Sequence, residues 1–342
     1  MEHFIWAMEK NKNILVTGAT GLVGAYIIRS LLSSGYNNIY AAKRKKSNLD
    51  YVQDFISSVN WTELDILDHL SVFEVVKEMD IVIHAAAAVD FLGDFKELYR
   101  VNVEGTDNIV NASLDSDVEK LIYLSSTAAL GRKSINNIID ENEEWEYSKY
   151  NTDYAISKYH AELHIWRGIA EGLSATVLNP SFILGTGDWE RSSLQLLEKV
   201  AGGISYYPPG SNGFVDVRDV ADAVIKVMIH DHLGQRFIIS GDNLDYKYII
   251  ETIAKNLNVL APNKKLPVFL GYLGGYIGNW LRKLNLHWVP LNMDIVRNLL
   301  SQNHYNNTKS IEVLGMDYIP IIQSLEEITT IYKSKPRKVL AL

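Results

Sequence analysis

Hydrophobic and polar positions from residue 13 to about residue 130 alternate between two patterns. Short β-branched apolar runs predict buried strands, and an amphipathic stretch that is typical of a helix follows each turn bearing Gly or Asp. Leu22–Ser34 is the first such helix, ended by Gly35. The predicted strands are Asn13–Thr17, Ile39–Ala42, Asp80–His84 and Lys120–Leu124. This repetition predicts an α/β fold with a doubly wound parallel sheet that helices cover on both faces.

Beyond about residue 180 the pattern changes, because Gly, Pro and aromatic residues crowd segments such as 202–210. Such segments predict loops and short elements that form a smaller cap over the sheet. A helix at Val220–His230, with Asp219 as its N-cap, and a strand at Phe237–Ile239 are expected to return to the sheet domain. The cap is therefore discontinuous in sequence. We expect the sheet domain at 11–180 plus about 214–240, and the cap at 181–213 plus 241–335.

One segment of the predicted cap invites a membrane interpretation. Leu266–Leu281 is uncharged over 16 residues, but a span needs about 20 apolar residues and Pro267 and Asn279 interrupt this one. No membrane span is expected; an interfacial helix stays open, and a buried cap helix is favoured. Tyr272, Tyr276 and Trp280 form an aromatic stripe on this segment. The stripe is expected either to cover the substrate pocket or to pack into the core of the cap.

Composition narrows the possible functions. The 342 residues are 47% hydrophobic, which is ordinary for a globular chain. A net charge of −8 provides no global positive field for nucleic acid or an anionic membrane. The absence of cysteine excludes disulfides, thiolate nucleophiles and zinc sites that need sulfur. At the N-terminus, Phe4–Met8 is too short for a signal-peptide core, so a cytoplasmic location is expected.

A glycine-rich turn joins the first predicted strand to the first predicted helix. Gly18 permits the tight turn, Gly21 lets a phosphate approach the backbone, and Gly24 lets the helix pack close to the sheet. The helix dipole and the backbone amides around Thr20, Leu22 and Val23 favour a pyrophosphate there. The sequence therefore predicts a dinucleotide site on a Rossmann sheet.

The segment after the second strand bears on which dinucleotide binds. An NAD-binding fold usually carries a carboxylate there for the ribose 2′-hydroxyl. This chain has the cationic run 43–46 instead, in which Arg44 would grip a 2′-phosphate in bidentate fashion. NADP is therefore favoured, with NAD as the alternative cofactor; the opposing interpretation is a solvated basic loop.

Three polar side chains form the candidate catalytic group. Tyr154 and Lys158 are four residues apart and thus lie on one face of a helix. A neighbouring ammonium stabilises a phenolate, so we expect Lys158 to lower the pKa of Tyr154 and make it a proton donor and acceptor. Ser126 comes just after the strand that begins at Lys120, at the carboxyl edge of the sheet, where it would hydrogen-bond a substrate carbonyl.

Nearly the whole chain resembles the extended short-chain dehydrogenase/reductase family, which includes epimerases, dehydratases and dihydroflavonol-reductase-like enzymes. The segments that carry the resemblance are Thr17–Gly24, Asp65–Asp68, His84–Ala87, Asn102–Thr106, Tyr123–Ser126, Tyr154–Lys158, Asn179–Pro180 and Phe214–Ala221. The resemblance implies a hydride-transfer site in which Tyr154 is the acid/base. Lys158 would bind the nicotinamide ribose and tune the tyrosine, and Ser126 would orient the substrate oxygen.

The resemblance also implies cofactor contacts along the edge of the sheet. Asp65 and Ile66 would flank the adenine, and Pro180 and Phe182 would lie near the nicotinamide. Further cofactor-binding residues are expected along the middle of the dinucleotide and beside the catalytic group: Ala85, Ala86, Ala87, Asn102 and Ser125. A turn cap is the equal alternative for Asp65, and a structural role is favoured for His84.

These residues favour an NADP(H)-dependent oxidoreductase acting on a carbonyl or alcohol of a small molecule. Region 258–288 is apolar and holds only Arg282 as an arginine, which favours a largely apolar substrate over a diphosphate. A nucleotide-sugar epimerase and a non-catalytic NADP-sensing module remain alternatives, and a homodimer is left open. Dehydration is disfavoured because 127–129 is Thr-Ala-Ala where dehydratases carry an acidic pair. No metal site is expected, because His160 and His164 lack the glutamate spacing of zinc proteases.

Overall fold

A computed structural model of the chain describes residues 10–89, 94–187, 195–283 and 292–334. The apolar segment Phe4–Met8 lies outside the described residues. The strands, numbered in chain order, are β1 (Ile14–Thr17), β2 (Ile39–Lys43), β3 (Asn60–Glu63), β4 (Ile81–His84), β5 (Lys120–Leu124), β6 (Asn136–Ile139), β7 (Ala175–Pro180), β8 (Phe182–Leu184), β9 (Tyr206–Tyr207), β10 (Ser211–Asp216), β11 (Gln235–Ile239), β12 (Asp242–Asp245), β13 (Lys264–Lys265) and β14 (Gln302–Tyr305).

The helices are numbered in the same way. They are α1 (Leu22–Ser33), α2 (His69–Val76), α3 (Phe95–Tyr99), α4 (Gly105–Asp115), α5 (Asp153–Ala170), α6 (Gln195–Ala201), α7 (Val217–Ile229), α8 (Tyr246–Leu257), α9 (Val268–Lys283), α10 (Met293–Leu300), α11 (Thr308–Leu314) and α12 (Ile321–Ser334). A π-helical turn at Arg100–Glu104 leads into α4, and a 3₁₀ turn at Thr127–Leu130 follows β5.

Seven parallel strands form the central sheet, in the order β11-β7-β5-β4-β1-β2-β3. The predicted doubly wound parallel sheet is confirmed. Strands β1 and β4 are fully buried because helices cover both faces. Helices α1 and α7 pack on one face, while α2, α4 and α5 pack on the other. The carboxyl ends of β1, β4, β5 and β7 therefore meet at one edge.

A second, mixed sheet lies outside the central one. Its order is β12-β10-β14-β6, and β8 pairs with β10. Strand β6 falls inside the range expected for the sheet domain but pairs with β14, from Gln302 to Tyr305. Helices α6, α8 and α12 share a separate apolar core with Phe214 and Leu184. The boundaries given above for the sheet domain and the cap stay a prediction.

The predicted N-cap of α7 is wrong. The helix begins at Val217, and the Asp216 carboxylate accepts a hydrogen bond from the backbone N–H of Arg218. Asp219 lies inside the first turn and is buried, where its Oδ2 accepts from the N–H of Ile319 at 3.1 Å. The chain therefore turns into the helix three residues earlier than expected, because β10 pairs with β8 only as far as Asp216.

The expectation of a buried cap helix at Leu266–Leu281 is also wrong. A helix forms there as α9, but Tyr276 and Trp280 are 66% and 61% exposed. They neither pad the cap core nor enclose a pocket within the described residues. Within those same residues, no helix combines the length and the apolar character that crossing a membrane requires.

Candidate active site

The glycine-rich turn after β1 packs tightly against its neighbours. Gly18 has φ +69°, and a Cβ on it would lie 2.8 Å from the backbone N of Ala86. A Cβ on Gly24 would lie 2.3 Å from the Gly18 carbonyl oxygen. Both positions therefore require glycine, the first for its backbone conformation and both for space. The turn is held against the chain that follows β4.

Helix α1 begins directly after this turn without a side-chain cap. Gly21 is its N-cap, is exposed, and has no side chain to offer to the first amides at Leu22 and Val23. Thr20 lies half-buried in the same turn. Uncapped amides and the positive end of a 12-residue helix stabilise a phosphate. The glycine-rich turn and the start of α1 thus fit the pyrophosphate that the sequence predicts.

A buried hydrogen-bond chain joins β1, β4 and α4 below this turn. Thr17 Oγ1 accepts from the N–H groups of Ala85 and Ala86, at 3.1 and 3.0 Å, so its hydroxyl donates to His84 Nδ1 at 2.8 Å. His84 Nε2 then donates to Thr106 Oγ1 at 3.1 Å, since the Thr106 hydroxyl donates to the Asn102 carbonyl. Burial and the nearby Lys158 lower the pKa of His84 to about 3. A neutral, structural histidine agrees with the expectation for His84.

Asn102 holds the segment after β4 from the other side. Its Oδ1 accepts from the N–H of Ala88 at 2.7 Å, and its Nδ2 donates to the Ala88 carbonyl and to Ser157 Oγ, both at 3.0 Å. The side chain is 1% exposed. With these groups engaged, Asn102 positions the segment 85–88 against α5. Ala85, Ala86 and Ala87 remain half-buried or exposed along the edge of the sheet.

Ser126 and Tyr154 are brought together at the end of β5. Ser126 caps the 3₁₀ turn, accepting from the Ala128 N–H at 3.2 Å, and its side chain hydrogen-bonds that of Tyr154. Tyr154 lies in the first turn of α5, behind the N-cap Thr152. Desolvation raises the pKa of Tyr154 to about 12, and the Ser126 hydrogen bond opposes that shift. The expected lowering of this pKa by Lys158 is therefore not found.

Lys158 lies one turn further along α5 and is 1% exposed. Its Nζ donates to the carbonyl oxygen of Leu124, the last residue of β5, at 2.9 Å and lies 4.5 Å from the centre of the Tyr123 ring. Burial lowers the pKa of Lys158 to about 7, while the negative charge of Glu162 opposes the shift. The Lys158 side chain is thus held at the carboxyl edge of the sheet.

Glu162 is a site residue that the sequence analysis did not find. It is fully buried on the face of α5 that carries Lys158, and its carboxylate accepts from Ser125 Oγ, Asn179 Nδ2 and Arg236. Arg236 is 74 residues away in sequence and lies on β11, so no local pattern indicated the pair. The spacing of four between Lys158 and Glu162 was the only available signal.

This network also includes Ser125, which was expected to contact the cofactor, and Asn179, which lies in a segment that carries the resemblance. Ser125 directs its hydroxyl to Glu162, and Asn179 Nδ2 additionally donates to the Ser126 carbonyl at 2.9 Å. Glu162 therefore connects the ends of β5, β7 and β11 with α5. Pro180 ends β7, and Phe182 follows in β8 with its ring 5.4 Å from that of Phe214.

The remaining expected contacts lie at the outer strands. Arg44 is exposed after β2, and its backbone N–H donates to Ser47 Oγ at 3.0 Å. Asp65 accepts from the Leu67 N–H at 3.0 Å, which is the turn cap considered as its alternative role. The Ile66 carbonyl accepts from Asn108 Nδ2 at 2.9 Å.

The two histidines of α5 bind other side chains. His160 contacts the hydroxyls of Tyr147 and Tyr99, at 2.9 and 3.2 Å, and His164 Nδ1 lies 2.7 Å from Asp107. Across the part of the chain that the structure describes, no group of three His, Asp or Glu side chains could hold a metal ion.

Comparison with known proteins gives a consistent result. The model of the NAD dependent epimerase/dehydratase family matches residues 14–240. A putative dihydroflavonol 4-reductase of Synechocystis sp. is 27% identical over 322 residues, covering 91% of this chain and 92% of that protein. Sterol demethylase protein B of Methylococcus capsulatus is 29% identical, covering 74% and 77%. The crystal structure of gox2253 superposes with a TM-score of 0.82 at 25% identity, covering 94% and 98%.

Proposed function

The chain belongs to the NAD-dependent epimerase/dehydratase family and is an NAD(P)-dependent enzyme of the extended short-chain dehydrogenase/reductase type; from this premise we propose that it interconverts a carbonyl and an alcohol with NADP(H). The observation that carries the proposal is the group formed by Ser126, Tyr154 and Lys158 at the carboxyl edge of the sheet, beside the glycine-rich turn. That edge is where doubly wound sheets bind their ligands.

A nicotinamide cofactor, when bound, would supply the hydride that the carbonyl carbon accepts in the proposed reduction. Tyr154 would give its hydroxyl proton to the carbonyl oxygen, so the products would be an alcohol, the oxidised dinucleotide and a phenolate that is then reprotonated from solvent. Ser126, already hydrogen-bonded to Tyr154, orients the same oxygen. Lys158, held by the Leu124 carbonyl, supplies a positive charge that stabilises the phenolate and binds the nicotinamide ribose.

We propose that the substrate is small and largely apolar. Two relatives carry a dihydroflavonol and a sterol in their names, and neither compound contains a diphosphate. Region 258–288 contains a single arginine, which is poorly suited to a diphosphate. A cytoplasmic location and a homodimer stay predictions.

The experiment is NADPH oxidation by the purified protein with a panel of apolar ketones and aldehydes, compared with binding of nucleotide sugars. Turnover of an apolar carbonyl supports the proposal. Tight binding of a UDP- or dTDP-sugar without turnover of carbonyls would replace it with an epimerase. Cofactor binding without any turnover across both panels would replace it with a cofactor-sensing module.

Cofactor choice has its own test at Arg44. A charge-assisted contact to the 2′-phosphate is worth about 1.5–3 kcal/mol, or roughly ten- to a hundredfold in affinity. NADPH should therefore bind tighter than NADH in calorimetry, and Arg44→Ala should reduce that difference. Arg100→Ala, which removes another exposed arginine, is the control and should leave the ratio unchanged. Equal affinities in the unaltered protein would reject the NADP preference.

A further inference from the structure

Helix α9 presents its large apolar side chains to solvent and its glycines to the protein. Gly271, Gly275 and Gly278 are buried. Phe269, for comparison, is 68% exposed. Seven large apolar side chains of this helix are exposed: Val268, Phe269, Leu270, Leu273, Tyr276, Ile277 and Trp280. We call these seven residues the outer face of α9. This is the reverse of an ordinary surface helix, whose apolar stripe faces the core.

The packing against α10 fixes this orientation. A Cβ on Gly275 would lie 2.7 Å from Met293 Sδ, and a Cβ on Gly271 would lie 3.5 Å from Val296. Asn279 Oδ1 also accepts from the Met293 N–H at 3.3 Å. A Cβ at Gly275 would also lie 3.1 Å from Val296 and 3.3 Å from Met293 Cα, so a larger side chain on this side of the helix would force α10 to shift. The outer face is thus held outward by close packing on the opposite side.

Charge around the helix differs from the rest of the chain. Residues 252–293 contain no Asp or Glu, although the whole chain carries a net charge of −8. Lys264 and Lys265 form β13 directly before the helix and are exposed. The segment contains five cations, which flank the uncharged stretch: Lys255, Lys264, Lys265, Arg282 and Lys283. An apolar, aromatic face between cations complements an anionic bilayer surface.

We propose that α9 docks this protein onto the surface of an anionic lipid bilayer, lying in the interface with its outer face in the acyl boundary. Tyr276 and Trp280 have the amphipathic rings that prefer the headgroup level, and Lys264 and Lys265 contact lipid phosphates. A second copy of the chain is a poorer occupant, because a symmetric contact through the same face would bring like charges together. The proposal goes beyond the reaction and does not depend on it.

The test is co-sedimentation of the purified full chain with vesicles of phosphatidylglycerol and phosphatidylcholine, against vesicles of phosphatidylcholine alone. We expect at least about tenfold tighter binding to the anionic vesicles, weakened by raising the salt from about 0.1 to about 0.5 M. Leu273→Glu with Tyr276→Glu should reduce binding at least about tenfold. Leu70→Glu, at a 66% exposed leucine in the first turn of α2, is the matched control and should bind like the unaltered protein.

Two further measurements distinguish lipid docking from a folding defect and from self-association. NADPH affinity and melting temperature should be unchanged in the double variant, so that a folding defect is recognised. The double charge reversal Lys264→Glu with Lys265→Glu should remove the preference for anionic lipid. Absence of binding to anionic vesicles, or equal loss in Leu70→Glu, overturns the proposal. A dimer in light scattering that Leu273→Glu dissociates assigns the face to a second copy and overturns it as well.

Discussion

At the scale of a single residue, the burial of Lys158 lowers the stability of the folded protein. The Lys158 side chain is 1% exposed, so its ammonium has lost its hydration. The lost hydration is only partly replaced by the Leu124 carbonyl, the Tyr123 ring and the charge of Glu162. Its pKa falls to about 7 for that reason. Residues kept in a destabilising state are expected where chemistry needs them.

Replacing this lysine should stabilise the protein without cofactor. Below pH 7 both folded and unfolded chains carry the charge, so the full cost of burying it applies. Between pH 7 and about 10.5 only the unfolded chain holds the proton, so the cost declines as pH rises and is lost above that range. Lys158→Met should thus raise the free energy of unfolding by roughly 2 kcal/mol or more at about pH 6.5, since one pKa unit is about 1.4 kcal/mol.

Urea unfolding of Lys158→Met at about pH 6.5 and about pH 9.5 measures this effect. The gain should be smaller at the higher pH. A gain that does not change with pH would show that shape, and not the buried charge, is responsible. Arg236 remains to pair with Glu162 in this variant, so the carboxylate keeps a partner.

Tyr154 is expected to act through its hydroxyl proton alone. Tyr154→Phe should lower kcat at least about a hundredfold, because general acid catalysis contributes typically 10²–10⁴-fold. NADPH affinity, followed by fluorescence titration, should stay nearly unchanged. Tyr159→Phe is the matched control on the same helix, since the Tyr159 ring stacks on Trp145 at 4.2 Å and serves packing. Substantial activity in Tyr154→Phe would remove Tyr154 from its catalytic role.

At the scale of elements, the site is the meeting point of a turn, a strand end and a helix. Helix α5 starts at Asp153 behind the Thr152 cap, which places Tyr154 in its first turn and Lys158 in its second. Glu162 then ties α5 to β11 through Arg236. The glycine-rich turn is tied to the end of β4 through Thr17. The relative positions of these elements are therefore set by buried polar contacts.

Gly24 tests whether close packing of α1 on the turn is required for binding. Gly24→Ala places a Cβ 2.3 Å from the Gly18 carbonyl, so the turn and the helix must separate. We expect NADPH affinity to fall at least about tenfold, with a lower melting temperature, because such overpacking costs about 1–3 kcal/mol. Gly202→Ala, where the nearest atom is 3.4 Å away, is the control and should bind NADPH normally. Normal NADPH binding by Gly24→Ala would contradict the prediction that the glycine-rich turn binds the cofactor.

At the scale of the whole molecule, the segment around α7 joins the two sheets. Asp216 ends β10, caps α7, and accepts from Arg218 and from Ser324 Oγ of α12. Asp219, in the first turn of α7, accepts from the backbone N–H of Ile319. Burial raises the pKa of Asp219 to about 7, with the charge of Asp216 adding to the shift. The connection between the sheets is therefore sensitive to protonation.

Asp219→Asn should stabilise the protein in a manner that depends on pH. Between about pH 3.8 and pH 7 the folded chain keeps the proton that the unfolded chain has lost, so stability falls as pH rises and the full cost applies above pH 7. Asparagine keeps an acceptor for Ile319 without the charge. The gain in the free energy of unfolding should be about 1 kcal/mol or more at about pH 8 and smaller at about pH 5, as urea unfolding at both would measure. Asp222→Asn, on the exposed side of α7, should give neither effect.

Local pattern alone determined the parallel sheet, the glycine-rich turn and the placement of Tyr154 and Lys158 on one helical face. Each depends on neighbours within a few residues, so a period of about two or 3.6 and a small number of glycines suffice. The family follows from the same motifs. The N-cap of α7 was predicted wrongly as Asp219, because the end of β10 at Asp216 depends on its pairing with β8.

Only the tertiary structure decided the features that join distant parts of the chain. The Glu162–Arg236 pair spans 74 residues, and the raised pKa of Tyr154 reflects everything that surrounds its hydroxyl. The sequence favoured a buried α9 wrongly, because a helix with glycines on one side and aromatic residues on the other can pack by either side. The narrow contact with Met293 selects the glycine side. Pairing, desolvation and steric fit depend on which surfaces meet, and a linear sequence does not state that.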